Sequence, residues 1–213
     1  MSRWEYGGKY KLYDMSGLIE IGGGKLMVHD IYEPLPEFMK EADCIFVDPP
    51  GSLGILNSFY TKADRTDYKD SYMSFVTRLF DNIQEINPKF VYIEVFKPNK
   101  QEILDECEKR FKYVFIDEST YYHNKKNKCW IIRCSNEKDI KHPETIIDEE
   151  DYIKWICENV EFECIGDLCM GYQGLVGYYS YLNNKKFVGT EINKKRLANL
   201  VDKIVKKEKE KNK

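Results

Sequence analysis

The chain predicts an α/β fold: a seven-stranded, mostly parallel sheet with helices on both faces and one reversed strand near an edge. Three observations carry that expectation. Short apolar runs such as Cys44-Ile45-Phe46-Val47 do not alternate with polar residues, which is how strands covered on both faces read. Between such runs lie stretches whose apolar residues recur at helical spacing. Residues 163–193 hold a complete crossover. A short apolar strand runs into Gly171, Gly174 and Gly177, a helical stretch follows, and a second strand carries Glu191 and Asn193 at its end.

Taken in order, residues 4–24 are aromatic and glycine-bearing without a period, and read as an irregular arm or a short hairpin. Residues 26–31 read as a strand and 36–41 as a short helix feeding the strand at 44–47. Residues 51–68 show no strong pattern and read as a loop, long enough to be functional if it lies in a compact domain. Tyr72, Phe75, Val76, Leu79, Phe80 and Ile83 fall on one face of a helix over 72–86. A strand at 90–96 and a helix at 99–110 follow. Residues 111–116 and 129–134 are two further strands joined by 121–128, which suggests an antiparallel end to the sheet. Helices are expected at 151–159, 175–182 and 194–207. The organisation is one domain over 25–213 behind an arm at 1–24. Its two halves, 25–134 and 151–207, are joined by a polar linker at 135–150, and a charged tail occupies 208–213.

Composition sets bounds on function. At 213 residues the chain can bury a sizeable core. No apolar stretch approaches a membrane span, and the residues after Met1 lack a signal peptide's apolar segment, so a cytoplasmic protein is expected. Seven cysteines sit mostly in apolar runs without a C-x-x-C pair, and the three histidines do not join them at zinc spacing. They read as reduced core thiols, and no metal is expected. The net charge of −3 gives no global basic footprint for nucleic acid. Local patches remain at Lys125-Lys126, Lys185-Lys186 and Lys194-Lys195-Arg196. The first follows Tyr121-Tyr122, so rings and cations share one loop.

The most informative local feature is Asp48-Pro49-Pro50 at the end of the apolar run 44–47. Each proline fixes its own φ and pushes the preceding residue into an extended conformation. Neither proline has an N–H, so the corner offers acceptors: the Asp48 carboxylate and the carbonyls of Asp48 and Pro49. Such a corner suits a substrate presenting two N–H bonds, as an exocyclic amino group does. In the crossover, glycines let a ligand approach the backbone, and an acid about twenty residues further on can take both hydroxyls of a ribose. Glu191 stands at that spacing from Gly171. Asp117, another acid near a strand end, reads as a helix cap or turn residue.

With these motifs in this order, the chain resembles the permuted S-adenosyl-L-methionine-dependent amino-methyltransferases of DNA, a Rossmann-like fold. The segments that carry the likeness are Lys25-Leu26-Met27-Val28-His29-Asp30, Asp48-Pro49-Pro50, Asp167-Leu168-Cys169-Met170-Gly171 and Phe187-Val188-Gly189-Thr190-Glu191-Ile192-Asn193. The resemblance implies methyl transfer to the amino group of adenine or cytosine, with Asp48, Pro49 and Pro50 as the catalytic corner. It implies a cofactor site of Asp30, Asp167, Cys169, Gly171, Gly174, Glu191 and Asn193, with Asp30 toward the adenine amino group. DNA is the implied partner, with specificity drawn from the chain's own loops, a homodimer or a separate subunit. Two positions depart from the pattern. Gly51 stands where the family has a base-stacking ring, which makes Phe59, Tyr60 and Tyr68 candidate replacements, with Lys125 and Lys126 as strand contacts. The turn Gly171-Tyr172-Gln173-Gly174 is one residue longer than usual. RNA, protein or a small amine as substrate, and a non-catalytic cofactor-binding module, stay open at this point. A nicotinamide dehydrogenase is disfavoured because it would leave the Asp48 corner unused.

Overall fold

The computed structural model describes residues 3–138 and 140–211. Its strands are β1 (Leu18–Ile21), β2 (Gly24–Val28), β3 (Cys44–Val47), β4 (Phe90–Val95), β5 (Tyr113–Tyr121), β6 (Asn124–Ser135), β7 (Cys164–Asp167) and β8 (Lys186–Glu191). The helices are α1 (Leu53–Lys62), α2 (Tyr72–Ile86), α3 (Lys100–Arg110), α4 (Glu149–Asn159), α5 (Leu175–Leu182) and α6 (Lys194–Lys211), with 3-10 segments at Arg3–Lys11 and Glu37–Glu41.

All eight strands share one sheet in the order β1-β2-β8-β7-β3-β4-β6-β5. The five from β2 to β4 are mutually parallel. β6 runs against both β4 and β5, and β1 runs against β2. The sheet therefore has eight strands where the sequence suggested seven. The extra one comes from the arm: Gly22 and Gly23, both at positive φ, make a two-residue turn that folds β1 back on β2.

β3 explains why a continuous apolar run was the right signal. Ile45 and Val47 point into a core shared with Leu79, Phe80 and Ile83 of α2. Cys44 and Phe46 point the other way, into a core with Ile153 and Ile156 of α4 and Leu197 and Leu200 of α6. Both faces are covered, so neither needs polar residues.

Three local expectations are corrected. The patternless stretch 51–68 contains α1, capped by Ser52, whose hydroxyl accepts from the Ile55 N–H at 3.3 Å. Only Leu56 and Tyr60 are buried on this helix, too few to print a period. The 121–128 segment is mostly strand, with a two-residue turn at Tyr122 and His123, both at positive φ. The Asp148 carboxylate holds that turn by accepting from the His123 N–H at 2.8 Å. Asp117 is neither cap nor turn. It lies within β5, where it accepts from Arg133 at 3.0 Å and from the Tyr152 hydroxyl at 2.6 Å.

The arm lies on α6. Lys195, buried, pairs through Nζ with Glu5 at 3.2 Å and with Asp64, in the loop after α1, at 2.8 Å. The patch read at 194–196 is therefore not a surface patch, since Lys195 is spent inside this bridge. Among the described residues no helix is long and apolar enough to cross a membrane.

Candidate active site

A cavity of about 500 Å³ opens over the carboxyl ends of β2, β3, β7 and β8. This is where open parallel sheets bind ligands, because adjacent loops diverge there. It is lined by Asp30, Asp48, Pro49, Pro50, Gly51, Phe59, Tyr60, Cys169, Gly171 and Glu191 from the expected set, and by His29, Phe96, Tyr121, Tyr122 and Arg196 besides. Two segments more than a hundred positions apart thus share one hollow.

Asp48 leaves β3 with its side chain exposed to the cavity, while Pro49 and Pro50 are buried beneath it. The Pro50 carbonyl is already engaged, accepting from the Tyr72 hydroxyl at 2.7 Å. Tyr72 in turn accepts from Asn99 at 3.0 Å, and the Asn99 side-chain oxygen takes the Phe96 N–H at 2.9 Å. This relay fastens the proline corner to the turn after β4. The Asp48 carboxylate is left facing the cavity. Loss of water around it pushes the Asp48 carboxyl up to about 7, opposed by the positive charge of Arg196. The carboxylate still faces open cavity, so desolvation acts most strongly when a ligand fills that space.

Behind Asp48 lies a second acidic layer the sequence did not mark. Glu94 on β4, Cys129 on β6 and Glu149 in the first turn of α4 bring ligand-type atoms within 4.8 Å of one another. Burial and the neighbouring Asp48 raise Glu94 well above the carboxylate range, and burial with Asp148 raises Glu149 to about 8. Burial raises the Cys129 thiol as well. These groups hold protons at neutral pH, which keeps three neighbouring carboxyls from repelling one another.

The opposite wall is built from the glycine turn and the end of β8. The Gly171 N–H donates to Glu191 Oε2 at 2.8 Å, and the Asn193 N–H donates to Oε1 at 3.0 Å. Each oxygen keeps a second lone pair for a ligand. Gly171 has a φ of 67° and faces the cavity. Gly174 does not line it. With a φ of 57° it begins α5, where a Cβ would meet Leu200 Cβ at 2.7 Å. The longer turn thus divides its glycines, one beside the cavity and one against α6. Asp167 is buried under the turn and takes the Cys169 N–H at 2.8 Å, and burial raises its carboxyl. Cys169 lines the cavity as a thiol whose ionisation burial also opposes. Asn193 caps α6, its side-chain oxygen accepting from Lys195 N at 2.9 Å while its amide donates to the Lys62 carbonyl.

Asp30 lines the cavity but is well occupied. It accepts from the Tyr60 hydroxyl at 2.8 and 2.9 Å and from Tyr32 N at 3.1 Å, and pairs with Arg65 at 3.1 Å. That bond fixes Tyr60 as a buried strut. Tyr68 is 54% exposed, does not line the cavity, and reaches only the Thr61 hydroxyl at 3.4 Å. Lys125 and Lys126 are exposed on β6 beyond the turn, outside the cavity. Phe59 lines it, with the Arg196 guanidinium over its ring at 4.5 Å.

The rings nearest Gly51 come from elsewhere. A Cβ at Gly51 would lie 3.6 Å from Phe96, in ordinary contact and with room to spare. Phe96 packs edge-on to Tyr121 at 5.2 Å, and Tyr121 to Tyr122 at 5.0 Å. Tyr122 is 74% exposed at the cavity's rim, an unusual outlay for so large a ring. The sequence did place Tyr121 and Tyr122 in a cation-bearing loop, but nothing local tied that loop to Asp48. Arg196 was hidden in a lysine-rich run.

No family model matches the sequence, and no curated protein sequence matches it. Solved structures do. The chain is similar to the crystal structure of M1.HpyAVI with a TM-score of 0.57 at 15% identity, covering 85% of this chain and 99% of that one. TTHA0409, a DNA modification methylase of Thermus thermophilus complexed with S-adenosyl-L-methionine, gives 0.61 at 11% identity over 85% and 93%. PvuII DNA methyltransferase (cytosine-N4-specific) gives 0.51 at 8% identity over 84% and 85%. At these identities the likeness is one of fold: a Rossmann-like mixed sheet of the kind found in DNA methyltransferases.

Proposed function

We propose that the protein is an S-adenosyl-L-methionine-dependent methyltransferase acting on an exocyclic amino group, with adenine or cytosine of DNA as the favoured target. The observation that carries this reading is the convergence of Asp48 and Pro49 with Gly171 and Glu191 on one cavity. The strand order supports it too: the nucleotide-type crossover β7–α5–β8 follows the Asp48 half in sequence yet lies beside it in the sheet, as a circular permutation requires.

The residues fit the cofactor. Asp30, Asp48 and Glu191 set three carboxyls against the single guanidinium of Arg196, which suits a ligand carrying sulfonium and ammonium charges. Glu191 would hold the ribose hydroxyls through its spare lone pairs, and the Gly171 turn would lie along the methionine portion. When bound, the cofactor supplies an electrophilic methyl group. Asp48 and the Pro49 carbonyl would accept the two hydrogens of the target amine, drawing its lone pair out of conjugation with the ring. The carboxylate then stabilises positive charge growing on nitrogen. With its pKa lifted toward 7, it is basic enough to take the proton that nitrogen releases. Phe96, Tyr121 and Tyr122 would supply the stacking surface that Gly51 does not, with Lys125 and Lys126 on the same edge toward the phosphates.

Purified protein with methyl-labelled cofactor should label duplex or single-stranded DNA, and Asp48→Ala should not. Labelling confined to RNA, protein or small amines would redirect the substrate assignment. Cofactor binding with no labelling of any substrate would leave a binding module.

A further inference from the structure

Arg196 is a cavity-lining cation that the functional reading above does not use. Among the described residues it is the only lysine or arginine lining the cavity. It stands in the first turn of α6, the positive end of the helix dipole, where a cation is disfavoured unless something compensates. Its compensation is incomplete. NH1 lies 3.7 Å from Glu191 Oε2, beyond hydrogen-bond range, and Nε is buried with no hydrogen-bond partner. The side chain is only 14% exposed, so bulk water does not make up the difference. Phe59 lies under the guanidinium and holds its plane in place. NH2 comes within 3.3 Å of where a Gly171 Cβ would stand, so absence of a side chain there opens the approach to the guanidinium. An unsatisfied guanidinium and a helix N-terminus, both beside a cleft, attract the same kind of ligand: a small anion with two oxygens.

We infer that Arg196 binds the α-carboxylate of the amino-acid end of S-adenosyl-L-methionine. The inference rests on the cofactor reading above and adds the group that recognises the cofactor's only anion. The acids of the cavity answer the cofactor's positive charges, and Arg196 answers the negative one. A phosphate of the substrate strand would be the competing anion. The position of Arg196 against Gly171 and Glu191, on the cofactor wall, favours the carboxylate.

Titration calorimetry with S-adenosyl-L-methionine and its decarboxylated analogue tests this, on the wild-type protein and on Arg196→Gln. The wild type should bind the intact cofactor about 10- to 100-fold more tightly than the analogue, the range of a charge-assisted hydrogen bond. Arg196→Gln should lose that preference and bind the analogue as the wild type does. A wild type that does not distinguish the two, or a variant that weakens both equally, overturns the inference and leaves the cofactor reading standing. A variant that binds both as the wild type does, but has a raised KM for the nucleic acid, overturns it in favour of phosphate. If the wild type binds neither ligand, the cofactor reading fails and the inference with it.

Discussion

The two walls of the cavity are built to different standards. On the β7–β8 side the backbone is tied down before any ligand arrives: Glu191 bridges Gly171 and Asn193, and Thr190 reaches back to the Leu168 carbonyl at 3.1 Å. On the β3–β4 side the proline corner is equally fixed, but what faces it is not. Three acids crowd together there, and a tyrosine at positive φ leans out at the rim. A site that binds one invariant molecule gains from preorganisation, because less ordering is left to be done on binding. A site that must admit part of a much larger substrate needs an open edge and rings that gain burial only on contact. The contrast assigns the roles: the first wall is a socket for a cofactor and the second a landing for a target.

The sharpest way to break that division is to remove one acid from each wall. Asp48→Ala should cut kcat by about 10²–10³-fold or more, the loss typical of deleting a group that meets developing charge. Its cofactor affinity should stay nearly unchanged. Glu191→Ala should do the reverse, weakening cofactor binding by about 10- to 100-fold through lost hydrogen bonds to a charged acceptor. Equal losses of both quantities in both variants, measured by calorimetry and single-turnover assay, would erase the distinction between the walls.

A smaller effect is expected at the landing. Tyr122→Ala should weaken binding of single-stranded oligonucleotides by about 1–3 kcal/mol, the value of a base stacked on a ring, without touching cofactor affinity. Unaltered oligonucleotide binding would take the hairpin out of the substrate site.

The smallest effect is one of pH. Glu149 has a folded pKa near 8, above its ordinary value, so the folded state binds more protons than the unfolded state between about pH 4 and 8. Its contribution to stability is therefore lost as pH rises through that window. Glu149→Gln should raise the melting temperature at pH 9 by up to about 2–4 °C, roughly 1 kcal/mol for a chain of this length, and by less at pH 5. An equal gain at both values would show that the acid layer behind Asp48 is not held protonated by the fold.

How much of this was legible in the sequence depended on whether the signal was local. The proline corner and the glycine turn each announce themselves within a few residues, because backbone restriction at Pro49 and freedom at Gly171 are properties of those residues. The parallel sheet was legible in Cys44 to Val47, since both faces are buried. α1 was not, because it buries only Leu56 and Tyr60. β1 was readable only as one of two alternatives for the arm, and Gly22-Gly23 settles it as a hairpin. Glu94, Glu149 and Tyr122 join Asp48 only through pairing of β4 with β3 and β6, a relation with no trace in any single segment. Arg196 looked like one more member of a basic run, and its direction of pointing is set by the start of α6.

One side chain also links parts of the molecule that no sequence pattern connects. Lys195 clasps Glu5 and Asp64 at once, so the leading segment and the loop that follows α1 hang from a single ammonium. Neither can swing away from the cofactor wall without surrendering a partner the other shares. Whatever loosens one fastening loosens both, and traffic past that side of the cavity would be governed by a common hinge pin.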